Sequence, residues 1–536
     1  MLIINNLKSL ALPFFAAIGM YLYNSYVGRH GIYLFDFSII YNMGWLIFNG
    51  WQPFVDFKMP LMPLSGVLVA LSFYLFGVSY YSAVKLAGII SVLSFIYIAQ
   101  RLRKYLGYIC GYIAAFLIIL STIPVEGTFY YNHLSTLLCS IYLVLVINYI
   151  FEYKSFLGKK ETLLSAEIYL FVSLIMFNKI HIGLLVGGLF FFLEAFLSFK
   201  EKNKFKDELL KLTIRVSPLI LMTLILLIWI NFNIADLFNN LFHSAKPSNY
   251  ISKESLMTRM GIGSHNDIFS AAGINLYLIF LFSVGLIFYH FKFCRKNSKV
   301  SKLLYLIVTS LIIQILSFIS SEEAPTIDLP FIMIYFVMMY LYFIEAIEIK
   351  NETELKKVHF ICALFTSVIF IICANYMVFY SMTSMRKAYD ENKAVFYRKN
   401  EMPKNKYISE VEFFDRIKIN YTQKKNFDYL GKILKEHKDK NIFLGSELEI
   451  FYPVAKIFPP AKWPIWLHRD ISYNSVNHSK MREIFVNQNY DVVIFSKNRN
   501  LSDSDFTTYL NDYMVANYVE FKHSDPEIWI KVFLKK

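Results

Sequence analysis

Cysteine is scarce in this chain, and carboxylates are outnumbered by cations. The 536 residues hold five cysteines (Cys110, Cys139, Cys294, Cys362 and Cys373), none in a CxxC pair and none after Cys373. That spacing excludes a disulfide scaffold and a thiolate metal centre. Zinc-protease HExxH spacing, Walker loops, GxSxG elbows and GxGxxG turns after strands are all missing, so no motif-bearing soluble enzyme class fits. No low-complexity tract or useful internal repeat is present.

What the chain has instead is apolar length. Hydrophobic residues make up 56% and aromatics 18% of the sequence, with a mean hydropathy of +0.43. Soluble domains are about 45–50% apolar. The excess falls into runs of about 17–20 residues, the length needed to cross a bilayer as helix. Eleven spans are expected, at roughly 10–27, 83–100, 107–124, 134–150, 163–178, 182–198, 212–231, 273–291, 303–320, 329–347 and 358–379. The first, which lacks a basic leader beyond Lys8 and a clean cleavage site, reads as a retained helix rather than a signal peptide.

The net charge of +14 points to topology rather than to nucleic acid. If 61–77 does not cross, every second loop is basic, from Arg101, Arg103 and Lys104 to Lys350, Lys356 and Lys357. Those loops hold nineteen cations, and the opposite loops before residue 380 hold six. Positive loops stay in the cytoplasm, so the N-terminus is expected inside. The first long loop (28–82), the 232–272 loop and everything after about residue 380 are expected outside. None of the inward loops is large enough to fold alone. The tail is different: 427–446, 480–496 and 506–521 each read as helix then strand, and 527–535 as a strand. This predicts an extracytoplasmic α/β domain at 427–536, joined by a connector at 381–426 to a membrane domain at 1–380.

Chemistry is expected where ionisable residues meet apolar walls. Asp36 lies in YLFDFSIIYNMGWLIF, a helical pattern expected to rest as an amphipathic helix on the outer surface. Its carboxylate is either a general base or a solvated cap. Asp56 and Lys58 in WQPFVDFKMP are either a second acid and a phosphate contact or a local ion pair. Lys179, in MFNKIHIG, either meets a phosphate or snorkels, and His181 is a weaker candidate. The outer loop 242–267 carries Lys246, Lys253, Arg259 and His265, of which Arg259 best suits a phosphate through its planar donor fork. Glu322, Glu323 and Asp328 form an acidic cluster that reads mainly as loop, and Glu126, Asn132 and His133 face the same side.

The first outer loop resembles one family. NGWQPFVDFKMPLMPL is similar to the G-x-x-P-Y-x-D-F stretch and proline–leucine run of the GT-C membrane glycosyltransferases, the group of protein O-mannosyltransferases and lipid A aminoarabinose transferase. Phe54 stands where tyrosine is usual. FYYNHLSTLL and MFNKIHIG are also family-like, and a trailing outer α/β domain is common in the bacterial branch. The resemblance implies a GT-C-like helical membrane fold in a bacterial cytoplasmic membrane. It also implies inverting sugar transfer from a polyprenyl-phosphate donor to a cell-envelope glycan, a lipid A-type glycolipid or a protein. Asp36 would be the base with Asp56 as a second acid, and Lys58, Lys179, Arg259 and His265 would bind substrate. Many members carry two adjacent acids where this chain has Asp36 between Phe35 and Phe37. No metal ligands are therefore assigned, and a divalent cation (magnesium or manganese) is left open. Two other classes compete. An O-antigen-type polymerase or ligase would carry its large arginine-rich loop between spans. A lipid-linked glycan flippase would show twofold repetition and charges along a central path.

Overall fold

A computed structural model describes residues 2–32, 34–59, 61–123, 127–154, 158–198, 205–238, 298–319, 334, 337–342, 406–445, 448–466, 478–496, 503–525 and 527–536. The first part is helical: α1 (Leu2–Gly28), α2 (Leu34–Phe48), α3 (Leu64–Phe76), α4 (Tyr80–Leu106), α5 (Tyr108–Thr122), α6 (Tyr131–Glu152), α7 (Lys159–Asn178), α8 (Ile180–Ser198), α9 (Phe205–Trp229), the short α10 (Ile234–Phe238) and α11 (Ser298–Ile319). Five of them (α4, α6, α7, α8 and α9) are long and apolar enough to cross a membrane by length and composition. The chain is a multi-pass membrane protein. The expected spans at 273–291 and 358–379, and most of 329–347, lie outside the described residues.

The central helix is α6, buried from Asn132 to Ile150. It tolerates polar residues there because they bond to the preceding turn. Thr136 Oγ1 donates to the Asn132 carbonyl (3.0 Å), Ser140 Oγ to that of Thr136 (2.8 Å) and Asn148 Nδ2 to that of Val144 (3.0 Å). Around it, Arg215 on α9 meets Glu194 on α8 at 2.5 Å, both side chains almost wholly buried. Ser165 on α7 and Tyr149 on α6 donate to the same carboxylate oxygen.

The two ends of the bundle are built differently. At one end Arg101 pairs with Glu167 at 2.8 Å, Lys104 and Lys160 both pair with Glu152 at 3.0 Å, and Lys302 sits over Tyr153. The C-terminal domain sits at the other. Segment 61–77 is resolved by this arrangement. Its helix, α3, has 13 residues, about 20 Å of helix against a hydrocarbon core of about 30 Å. Both of its flanks touch the C-terminal domain, through Lys58 to Pro464 and through Tyr80 to Phe414. It does not cross. The 15-residue α5 is also short, but it runs from the basic end, where Gly111 abuts Arg103, to Gly127, which abuts Gly28. Gly127 is required there, with φ +66° and a Cβ position 2.5 Å from the Gly28 Cα.

The tail folds as expected into helix–strand units. These are α12 (Tyr421–Glu436) with β1 (Ile442–Leu444), the short α13 (Phe451–Ala455), α14 (His478–Gln488) with β2 (Val492–Ser496), α15 (Asp503–Asn517) with β3 (Tyr518–Phe521), and β4 (Ile530–Lys535). The sheet order is β1-β2-β4-β3; β1 and β2 are parallel, and β4 is antiparallel to both neighbours. Strand alternation gives it two apolar faces. Val493 and Phe495 face Phe443, Met481 and Phe485. Val492 and Ile494 join a core that continues through Phe414, Phe427 and Phe451 into Ile40, Met43 and Leu46 of α2. Residues 406–426 belong to this packing, because His30 bridges Lys418 and Tyr407 bridges Ile419.

Candidate active site

The helix bearing Asp36 lies beneath that domain. It differs from the expected amphipathic helix: residues 37–46 are buried on every side, because a helix apolar all round needs cover all round. One side packs on α3, where a Cβ at Gly44 or Gly66 would strike Val69 or Met43. The other side packs on the domain, where Ser38 Oγ donates to Glu449 Oε2 (3.1 Å) and Trp45 Nε1 to the Ile457 carbonyl (2.9 Å). The approach to α2 is pinned as well. Gly31 N donates to the Lys418 carbonyl and Lys418 N to that of Arg29, both at 2.7 Å, and Gln423 Nε2 donates to that of Ile32 (3.2 Å). Asp36 is the third residue of α2; its side chain lies outside the described ones.

The loop after α2 is sewn to the domain by main chain. Lys462 N donates to the Asp56 carbonyl (2.6 Å), Lys58 N to that of Trp463 (3.0 Å) and Ile465 N to that of Lys58 (2.9 Å). Asp56 uses Oδ2 to accept from Gln52 N at 2.7 Å, which closes the turn. It forms no ion pair with Lys58. Lys58 is half-buried, and its ammonium has no hydrogen-bond partner among the described residues. Burial holds its pKa below the usual lysine range; Lys480 and Lys462 push the same way, and Asp236 opposes them. A half-dry, unpartnered cation among other cations favours an anion.

Lys179 is buried at the α7–α8 turn, with Nζ 5.1 Å from the Tyr131 ring centroid. That turn is fixed by Asn178, which accepts from Ser65 Oγ (2.9 Å) and donates to Ser135 Oγ (2.7 Å) and the Tyr131 carbonyl (2.5 Å). Lys179 thus stands at the domain end, tied to α3 and α6. His181 is exposed beside it, and Asn132 and His133 are buried in the first turn of α6. A narrow apolar cleft lies nearby, between α3, α4 and residues 128–129, with Ser65, Leu68, Leu86 and Phe129 in its wall. Arg259 and His265, with Lys246, Lys253, Glu126, Glu322, Glu323 and Asp328, lie outside the described residues. Among the described residues, no three His, Cys, Asp or Glu side chains converge as metal ligands would.

Sequence reasoning missed Glu449 and Ser38. The available signal was a carboxylate set between Leu448 and Ile450; its partner, 411 positions away, left no trace.

The chain superposes on ArnT from Cupriavidus metallidurans, an aminoarabinose transferase. Against ArnT bound to undecaprenyl phosphate the TM-score is 0.50 at 9% identity, covering 98% of this chain and 97% of ArnT. Against apo ArnT it is 0.51 at 10% identity, covering 97% and 96%. The chain has the GT-C fold. An apo oligosaccharyltransferase from Archaeoglobus fulgidus is similar at a TM-score of 0.45 and 11% identity, over 91% of this chain and 69% of that one. No family model and no curated protein matches the sequence.

Proposed function

We propose that the protein is a membrane glycosyltransferase. It moves a sugar from a polyprenyl-phosphate carrier to a hydroxyl of a cell-envelope glycan, glycolipid or protein, on the membrane face that carries the C-terminal domain. The observation that carries this reading is the shared fold with ArnT over nearly the whole chain, together with a half-buried Lys58, without a hydrogen-bond partner among the described residues, in the loop that follows Asp36's helix.

Asp36 accepts the proton of the acceptor hydroxyl. The acceptor oxygen forms its bond to the anomeric carbon on the face opposite the phosphate. The carbon–oxygen bond to phosphate breaks, and its electron pair leaves with the polyprenyl phosphate. One displacement inverts the anomeric centre. Lys58 and Lys179, both at the domain end, neutralise the departing phosphate, with Arg259 and His265 from the 239–297 region as further contacts. Asp56, through Oδ2, closes the turn that leads to Lys58.

The reading is tested by incubating purified protein with a polyprenyl-monophosphate sugar and envelope lipids. Transfer with inverted anomeric configuration is expected. Retention of configuration, or transfer only from a nucleotide sugar, overturns it.

A further inference from the structure

On the flank of the bundle, at the domain end, two cations bracket one tyrosine. Arg29 Nε donates to Tyr81 Oη at 3.1 Å, and its guanidinium carbon lies 4.9 Å from the ring centroid. Lys85 Nζ lies 5.5 Å from the same centroid and 5.4 Å from that of Phe76. Neither cation has a carboxylate partner among the described residues. Lys85 makes no hydrogen bond there at all.

Each cation stands at the top of an apolar stripe. On α4, Lys85, Ile89 and Leu93 recur at i, i+4 and i+8, and the latter two are 38% and 61% exposed. On α1, Leu22 (59%) and Tyr26 (56%) lie one turn apart, and Arg29 follows just past the helix end, its N donating to the Tyr26 carbonyl (3.2 Å). Residues at this spacing share one face of a helix. Because α1 packs on α4, the two stripes run side by side, each going from apolar surface to positive charge at one height. Aromatic and basic residues at such a height mark the headgroup layer. A cation there without a protein counter-ion is satisfied by lipid phosphate.

We propose that Arg29 and Lys85, either side of Tyr81, form a headgroup site for an anionic phospholipid of the leaflet on the C-terminal-domain side. Its two acyl chains lie along the exposed stripes of α1 and α4. The paired stripes fit a two-chain lipid better than a single polyprenyl chain. Neither cation belongs to the site built around Asp36, Lys58 and Lys179, so the bound lipid is a resident of the fold rather than a substrate. It also sits where Lys418 N meets the Arg29 carbonyl, at the seam between bundle and domain.

The test is native mass spectrometry of the full-length protein titrated with phosphatidylglycerol and, separately, phosphatidylcholine. Wild type is expected to bind one phosphatidylglycerol in preference to phosphatidylcholine. The Arg29→Gln/Lys85→Gln variant is expected to bind it roughly thirtyfold more weakly, from the usual worth of two surface cations. If the double variant does not fold, Lys85→Gln alone decides, with a roughly fivefold loss expected. Unchanged affinity in the variants, or equal binding of both lipids, overturns the proposal. So does one-for-one displacement of phosphatidylglycerol by polyprenyl phosphate, which would assign the place to the donor. Saturation by inorganic phosphate alone overturns it too.

Discussion

Replacing Lys58 with methionine should separate stability from binding. The aliphatic stem keeps its packing, while the half-buried ammonium, which has no hydrogen-bond partner among the described residues and feels Lys480 and Lys462, is removed. The free protein should melt at the same temperature or higher, because an uncompensated, partly desolvated charge is lost. Binding should move the other way. Hydrogen bonds to charged groups are worth about 1.5–3 kcal/mol, so polyprenyl phosphate should bind about ten- to a hundredfold more weakly. Thermal unfolding in detergent and a direct titration with polyprenyl phosphate read the two effects. The pH dependence follows from the same shift. Lys58 is charged below its folded pKa, which lies under the ordinary lysine value of 10.5, so its share of donor binding is full at low pH. That share is lost as pH rises through the lowered value, earlier than for an ordinary lysine. A Lys58→Met protein that melts lower and binds polyprenyl phosphate as tightly as wild type would refute the reasoning.

Other substitutions probe the frame. Ser38→Ala removes a donor to the buried Glu449 carboxylate and should cost about 1.5–3 kcal/mol, read as a lower unfolding midpoint; an unchanged midpoint would mean that the α2–domain contact carries no load. Arg215→Met leaves Glu194 buried without its guanidinium and should cost about 3–5 kcal/mol. The double variant Glu194→Gln/Arg215→Met should recover most of that loss in the same melt, and a double variant as unstable as the single one would count against the pairing.

Much of the architecture was legible because apolar runs and helix–strand alternation are local signals. The spans at 83–100, 134–150 and 163–178 and the units at 427–446 and 480–496 correspond to helices and strands at nearly those positions. Segment 61–77 was ambiguous by composition alone; only the contacts of Lys58 and Tyr80 with the C-terminal domain show that both its ends share one side. The setting of α2 was misread because YLFDFSIIYNMGWLIF carries no sign of the layer that covers it. That cover comes from residues such as Glu449 and Ile457, more than 400 positions away. Glu194 could be noticed as a carboxylate in FFFLEAFLSF, yet nothing local pairs it with Arg215. Within the site, Lys58 and Lys179 stood out as charges beside apolar sequence. The turn-closing role of Asp56 needed its hydrogen bond to Gln52.

The central claim is that the Asp36 carboxylate takes the acceptor proton. Single-turnover transfer from polyprenyl-phosphate sugar by Asp36→Asn, at donor concentrations that saturate both proteins, tests it most directly. Loss of a general base should slow transfer about 10²–10⁴-fold, with donor affinity and unfolding temperature unchanged. Transfer at the wild-type rate would contradict the claim and move the base elsewhere.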